Sequence, residues 1–343
     1  MNPDWQIFLQ RQHAQLENGA VLNFGSAQDE LAAAGSGTVL CDLSHFGELK
    51  VSGEEAQGFL YNLLSSDIKA LSPNLAQLSS FNTPKGRMLA TFLVWQRGAD
   101  YYLHLPRDLG EAIRKKLSMY VLRSKVKIED ASADTVCLGL AGKDAGSLLQ
   151  EHFGSVPETD FSVDQHDDAC VIRLDSQRYL IAAMPEHAPA LWQNFSGKAR
   201  AAGTACWDWF NIRAGMPVVL PATQEQFVPQ MANLELIGGV SFKKGCYPGQ
   251  EIVARMQYLG KAKRRMYLAH IAGSAQAGDH LYSAGTEDGQ ACGMVANAAP
   301  APGGGYDLLA VMQISSHETQ AVHLGSMQGE KLEFLPLPYS IPA

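Results

Sequence analysis

The sequence predicts an α+β protein of three domains: two ferredoxin-like, split β-α-β domains followed by a small C-terminal β-barrel. Three observations predict it. The length of 343 residues suits two or three domains at roughly 100–200 residues each. An order of strand, helix, paired strands and helix runs through 1–130 and restarts over 131–264. From 265 to 343 the texture changes to short strands separated by Gly, Pro and Asp. Hydrophobic residues make up 46% and charged residues 18%, enough apolar surface for full cores, which excludes a disordered chain.

Each element has a local reason. Trp5, Phe8, Leu9 and Leu16 stand near helical spacing, so a helix is expected over residues 5 to 16. Val39–Leu43 and Glu48–Ser52 read as strands. Ala56, Phe59, Leu60, Leu63 and Leu64 then mark one face of an amphipathic helix. Gln77–Phe81, Met88–Trp95 and Tyr101–Leu105 read as strands joined by turns at Asn82–Gly86 and Arg97–Asp100. Leu109, Ile113, Leu117 and Tyr120 mark a helix, and Lys125–Glu129 a strand. After the restart come a strand at Thr135–Leu140 and a helix at Lys143–Phe153. A hairpin of Cys170–Leu174 with Tyr179–Met184 follows, then a helix over Glu186–Ala202. The last domain offers strands at Met266–Ile271, His280–Ser283, Gly293–Asn297, Leu308–Ile314 and Leu332–Leu335, with Ala298–Gly305 as a loop.

Several function classes lack support. No apolar run approaches the ~18 residues that span a bilayer, and the first residues show no export signal, so a cytoplasmic protein without membrane contact is expected. The six cysteines are scattered without C-x-x-C or Cys/His spacing, which argues against a disulfide framework and against a resident metal in a local motif. P-loop, G-x-G-x-x-G and H-E-x-x-H patterns do not occur. The net charge of −8 is uneven. Lys243 to Arg265 holds Lys243, Lys244, Arg255, Lys261, Lys263, Arg264 and Arg265 against Glu251 alone, and Arg114 to Lys127 holds six basic residues and no acid. Two basic islands on an acidic body point to an anionic partner, unless the charges only solvate exposed faces.

The most unusual stretch runs from Val240 to Arg255. Pro248 suits the first turn of a helix, with Ile252, Val253 and Met256 following and Glu251 and Arg255 four apart. Cys246 is then expected at or just before a helix N-terminus, beside Lys243 and Lys244. Dipole and ammonium groups together favour a thiolate there. Cys41, Cys137, Cys170, Cys206 and Cys292 lie in apolar contexts and read as small core residues.

Lys244-Gly245-Cys246-Tyr247-Pro248-Gly249-Gln250-Glu251 resembles the K-G-C-[FY]-x-G-Q-E signature of the YgfZ family of folate-binding proteins, relatives of the glycine-cleavage T-protein. Asn211–Pro217, Phe227–Glu235, and Asp42–Ser44 with Val51–Gly53 resemble further family segments. The resemblance covers most of the chain and is dense from about 205 to 265. It implies three domains around a central opening that holds tetrahydrofolate, and a role in assembly or repair of iron–sulfur enzymes, including tRNA-modifying ones, through Cys246. Lys244, Gly245, Tyr247, Gly249, Gln250 and Glu251 support that cysteine. Arg264 or Arg265 matches the basic run that binds folate in the T-protein and is expected to hold the ligand's glutamate tail, polyglutamylated or not. Arg213, Glu235 and Arg255 are further folate candidates. Iron–sulfur client or assembly proteins are the implied partners.

Two alternatives stay open. Aminomethyl transfer needs a carboxylate near the pterin nitrogens, and the positions that carry acids in the T-protein are Ala90 and Thr91 here, with Gln230 or Met231 where its pterin-site Glu stands. Direct tRNA binding would use the basic islands, with no RNA-binding motif to accompany them.

Overall fold

The computed structural model describes residues 1–258, 262–284 and 289–342; Lys261 of the second basic island lies outside the described residues. The chain forms two compact units. The first comprises Met1–Gln57, Ala70–Gln77 and Leu93–Trp207, and the second Gly58–Lys69, Leu78–Phe92 and Asp208–Ala343.

A six-stranded sheet organises the first unit, in the order Val163–Gln165, Ala169–Asp175, Arg178–Ala183, Val136–Gly142, Thr38–Asp42, Arg200–Ala202. Here the structure departs from the order read in the sequence. Thr38–Asp42, expected among the early strands, joins the strands of the restarted segment, antiparallel to Val136–Gly142 and parallel to Arg200–Ala202. All five of its residues are buried, and such a strand needs a neighbour on each side and cover on both faces. The helix expected over Glu186–Ala202 ends at Ser196, so that Arg200–Ala202 can supply that neighbour.

Helix Pro3–Arg11 lies on this sheet, capped by Asn2, and Trp5 stacks edge-on against Trp192 at 5.7 Å. The Trp5 indole donates to Asp42 Oδ1 at 2.7 Å. Burial pushes the Asp42 carboxyl up, against the lowering by that bond. The helix stops at Arg11, short of the predicted span, because His13 turns the chain at φ 66 and Leu16 enters the strand Gln15–Glu17.

A second sheet of this unit pairs Phe46–Ser52 with Asp100–Pro106 on one side and Lys127–Asp130 on the other. The Leu93–Arg97 half of strand Met88–Arg97 extends it beyond Asp100–Pro106. Helix Arg107–Ser118 buries Leu109, Ile113 and Leu117, as the helical periodicity requires.

The second unit ends in a curled half-barrel of six antiparallel strands, in the order Val322–Leu324, His280–Ser283, Gly293–Pro300, Tyr306–Gln313, Arg264–Ile271, Glu333–Leu335. Its core gathers Ala269, Ile271, Leu281, Val295, Leu308 and Met312. The predicted loop at Ala298–Gly305 shrinks to the turn after Pro300, since Ala298 and Pro300 still pair with Leu308 and Tyr306.

Several elements escaped the sequence reading, among them strand Ala20–Asn23 and helices Ala27–Ser36 and Thr204–Arg213. Helix Ala27–Ser36 starts on a Ser26 cap, and its Glu30, 1% exposed, accepts from the backbone N–H of Phe24 and of Gly203. Removing that carboxylate leaves two N–H groups without acceptors. Glu30→Ala is therefore expected to lose about 2–6 kcal/mol of stability in urea unfolding, at about 1–3 kcal/mol per unsatisfied group; a loss under 0.5 kcal/mol would contradict this role.

Candidate functional site

The signature segment is pinned at three points within the second unit. Lys244, 7% exposed, donates to the carbonyls of Tyr61 and Leu64, both at 2.5 Å. Those carbonyls close helix Ala56–Leu63, whose last four C=O groups lack partners within the helix. A cation there also meets the negative end of the dipole. The ammonium further lies 4.6 Å from the Tyr61 ring centroid and 4.9 Å from that of Tyr247. Burial lowers the Lys244 pKa to about 8.

The second pin is Gly245, whose N–H donates to the Tyr61 hydroxyl at 2.6 Å. The third is Gly249, at φ 79, where a Cβ would stand 2.4 Å from Gly86 Cα and 2.5 Å from Thr83 O. Glycine is thus required twice over, by conformation and by contact. Tyr247 is buried, its hydroxyl has no hydrogen-bond partner, and burial pushes its pKa up. Between these anchors Cys246 is exposed, whereas the other five cysteines are buried.

The local electrostatics differ from the expectation. Helix Gln250–Tyr258 begins two residues after Pro248, so Cys246 precedes its N-terminus by four residues. Lys244 directs its charge onto the helix carbonyls. What the fold supplies at Cys246 is presentation of an accessible sulfur on a fixed loop. Glu251 sits in the first turn of that helix, exposed like Arg255, and Gln250 reaches back toward Lys244 O at 3.5 Å.

The same helix borders a cavity of about 900 Å³ lined by Gln230, Glu235, Met256, Gln257, Lys263, Arg264 and Arg265 among others. Arg265, 8% exposed, spends its guanidinium on Glu235 Oε1 and on Gln230 O at 2.7 Å. Burial raises the Glu235 pKa and Arg265 opposes it. Among the described residues Glu235 Oε2 has no partner, and neither has Gln230 Oε1, although Gln230 donates to Val253 O at 2.6 Å. Two buried acceptors therefore stand unpaired at the lining of one cavity, with Arg264 and Lys263 beside them.

Of the candidates read from the sequence, the structure brings Glu235, Arg264 and Arg265 together and leaves two apart. Arg213 is half-exposed, lies 3.6 Å from Asp307 Oδ2, and does not line the cavity; Asp307 also accepts from Trp209. Arg255 is exposed on the helix outside the lining. Arg265 is committed to Glu235, whereas Arg264 lines the cavity with no ion pair among the described residues. Tyr61 was missed because it falls off the apolar stripe of its helix, and no local pattern marks a residue that receives a partner from 184 positions away.

The basic island at Arg114–Lys127 is partly neutralised in place, four of its six basic residues pairing with three acids. Arg114 and Lys115 pair with Glu111, Lys125 with Glu54, and Lys127 with Glu129. The acids come from outside the stretch or from the preceding helix turn, which a count along the chain does not see. At the positions acidic in the T-protein, Ala90 and Thr91 are buried, and the Thr91 hydroxyl accepts from Val219 N at 3.0 Å.

A family model described as the GCVT N-terminal domain matches residues 11–244. The chain is 31% identical over 324 residues to the tRNA-modifying protein YgfZ of Photorhabdus laumondii, covering 92% of this chain and 97% of that one. It is 30% identical over 322 residues to the protein of the same name from Yersinia pseudotuberculosis serotype IB, with the same coverage. Among solved structures, the glycine cleavage system aminomethyltransferase T from Bartonella henselae shares the fold at a TM-score of 0.81, covering 99% of this chain and 98% of that one at 17% identity. Among the described residues no helix is long and apolar enough to cross a membrane.

Lys244 gives a pH signature. Its pKa falls from 10.5 to about 8 on folding, so between those values the unfolded chain holds the proton and the folded chain does not. Stability from this group therefore rises with pH across that window and is lost as pH falls through about 8. Lys244→Met removes the donors of two carbonyls and should cost about 1–3 kcal/mol at pH 7. The gap to wild type should widen from pH 8 to 10.5; a gap that narrows would show that the lysine is not held as described.

Proposed function

Because the chain belongs to the YgfZ family, with a GCVT N-terminal domain, we propose that it is a tetrahydrofolate-binding accessory protein for iron–sulfur enzymes, acting through Cys246. The observation that carries the reading is the cavity with its unpaired acceptors, bordered by the helix that follows the Cys246 loop. Its volume falls in the range of roughly 300–1,000 Å³ usual for small-molecule sites.

The residues fit the ligand. The amino and N–H edge of a reduced pterin offers donors, and Glu235 Oε2 and Gln230 Oε1 are acceptors that lack them. A glutamate tail, single or polymeric, offers carboxylates, and Arg264 with Lys263 supplies cations at the lining. Bound folate would supply one-carbon and reduced-pterin chemistry. The chain's own part is to orient the ring through Gln230 and Glu235, to hold Glu235 in place with Arg265, and to present the sulfur of Cys246 to a partner. One thiol supplies one ligand where a four-iron cluster takes four, so Cys246 serves exchange with client or assembly proteins rather than storage.

The relatives' name, tRNA-modifying protein, fits clients that modify tRNA. Direct tRNA binding has less support, since the Arg114–Lys127 island is paired with neighbouring acids. Aminomethyl transfer lacks a carboxylate at Ala90 and Thr91. Incubation with tetrahydrofolate and the aminomethyl-loaded dihydrolipoyl carrier protein should accordingly give no methylenetetrahydrofolate and no release of ammonia, and clear turnover would reverse that assignment.

Calorimetry with tetrahydrofolate tests the ligand. Wild type should bind, Arg264→Ala should bind about tenfold more weakly, a change of about 1.4 kcal/mol, and Cys246→Ala should bind as wild type. Cells carrying Cys246→Ala should lose activity of iron–sulfur tRNA-modifying enzymes. No binding by wild type would remove folate from the account, and full client activity with Cys246→Ala would remove the thiol.

A further inference from the structure

The first unit holds a cluster that the folate reading does not use. Glu48, His104 and Cys137 are each at least nine-tenths buried, at 3%, 7% and 4% exposure. Glu48 and His104 face each other directly across the pair Phe46–Ser52 and Asp100–Pro106. Cys137 comes from Val136–Gly142 of the six-stranded sheet. Glu48 Oε1 lies 2.8 Å from His104 Nδ1 and 3.1 Å from Cys137 Sγ, and the three donor atoms all fall within 4.8 Å of one another. Aromatic rings pack around them: Phe46 stacks on His104 at 4.5 Å, and Trp95 lies 6.2 Å away.

Three polar side chains in such a place cost desolvation that three apolar ones of the same size would not. One carboxylate, one imidazole and one sulfur, on strands rather than loops, is also a donor set that suits a borderline-soft divalent cation. We propose that Glu48, His104 and Cys137 form a binding site for a first-row divalent cation, zinc foremost, that ties the two sheets of the first unit together.

The geometry needs little adjustment. Ligand atoms about 2.0–2.3 Å from a tetrahedral zinc stand roughly 3.4 Å apart, so the two contacts of Glu48 lengthen by about half an ångström or less while His104 and Cys137 settle to that spacing from within 4.8 Å. On binding, the Cys137 thiol loses its proton to solvent, and the proton on His104 Nδ1 moves to Nε2 as the ring changes tautomer. Glu48 coordinates through its carboxylate, and water completes the fourth position. Burial, with Glu48 adding to it, pushes the free Cys137 thiol well up. Metal uptake therefore competes with a firmly held proton.

The site is independent of folate and of Cys246, and its test removes that exposed thiol. Full-length Cys246→Ala protein is incubated with equimolar zinc sulfate, desalted and assayed for metal. One zinc per chain is expected, and cobalt(II) chloride should give a thiolate-to-metal charge-transfer absorption. Adding Cys137→Ser, or separately His104→Gln, should lower zinc retention at least tenfold, with circular dichroism confirming the fold. X-ray absorption of the zinc-loaded Cys246→Ala protein should show one sulfur among nitrogen and oxygen neighbours, a reading that requires no variant at the site itself. No retained zinc, retention unchanged by Cys137→Ser in a folded protein, or a zinc shell with no sulfur or several would each overturn the proposal.

Discussion

A buried ammonium that must find acceptors, and a helix end that must find donors, solve each other's problem at Lys244. The carbonyls of Tyr61 and Leu64 would otherwise face a largely apolar interior without partners, and Lys244 would otherwise be an unpaired charge. Meeting both needs at once fixes the start of the signature loop to the end of helix Ala56–Leu63. The remaining geometry follows in order. Gly245 bonds to Tyr61, Tyr247 is drawn under the loop, and Gly249 fits against the Gly86 turn where a side chain could not. The exposed sulfur of Cys246 is the residue of this arrangement that no packing requirement explains.

A second mutual satisfaction shapes the cavity, and it is deliberately incomplete. Arg265 neutralises Glu235 on one oxygen and binds Gln230 through its carbonyl. That holds two acceptor side chains in fixed positions while leaving one oxygen of each without a donor. A buried acceptor without a donor costs roughly 1–3 kcal/mol, which is the physical ground for the ligand proposed at this cavity. Arg264 and Arg265, neighbours in sequence, both line the cavity, and they differ in engagement: Arg265 is taken up by Glu235 and the Gln230 carbonyl, whereas Arg264 has no ion pair among the described residues.

Element types were legible in the sequence wherever a periodic apolar pattern met a turn signal. Helix Arg107–Ser118 and strand Met88–Arg97 follow directly from such patterns, as do the hairpin Ala169–Asp175 with Arg178–Ala183 and most of the C-terminal strands. Helix Ala27–Ser36 was not legible, because its alanine-rich stretch shows little contrast between faces and its anchor is a buried glutamate. Sheet membership was not legible either. That Thr38–Asp42 pairs with Val136–Gly142 is decided by burial of both its faces, a property of tertiary packing. At the site, the signature and the Arg264–Arg265 run could be read as chemistry. Their partners could not, since Tyr61, Leu64 and Gly86 stand more than 150 residues from the groups they receive.

Charge shows most plainly why a linear reading stops where it does. Both basic islands look alike along the chain, yet they meet different partners. In Arg114–Lys127 three acids, Glu54, Glu111 and Glu129, reach four of the six basic residues in exposed pairs that contribute little stability individually and offset part of the local charge. In Lys243–Arg265 the partners are mostly not acids. Lys244 is absorbed by carbonyl dipoles, Arg265 by one glutamate and a carbonyl, and Lys263 and Arg264 remain at the cavity lining. An island keeps its capacity to attract an anion only where folding leaves cations unmatched at an accessible place. Exposed charges in open solvent are screened beyond about 8 Å at physiological ionic strength, so Lys263 and Arg264, at the lining of a cavity, are the cations on which the proposed anion site rests.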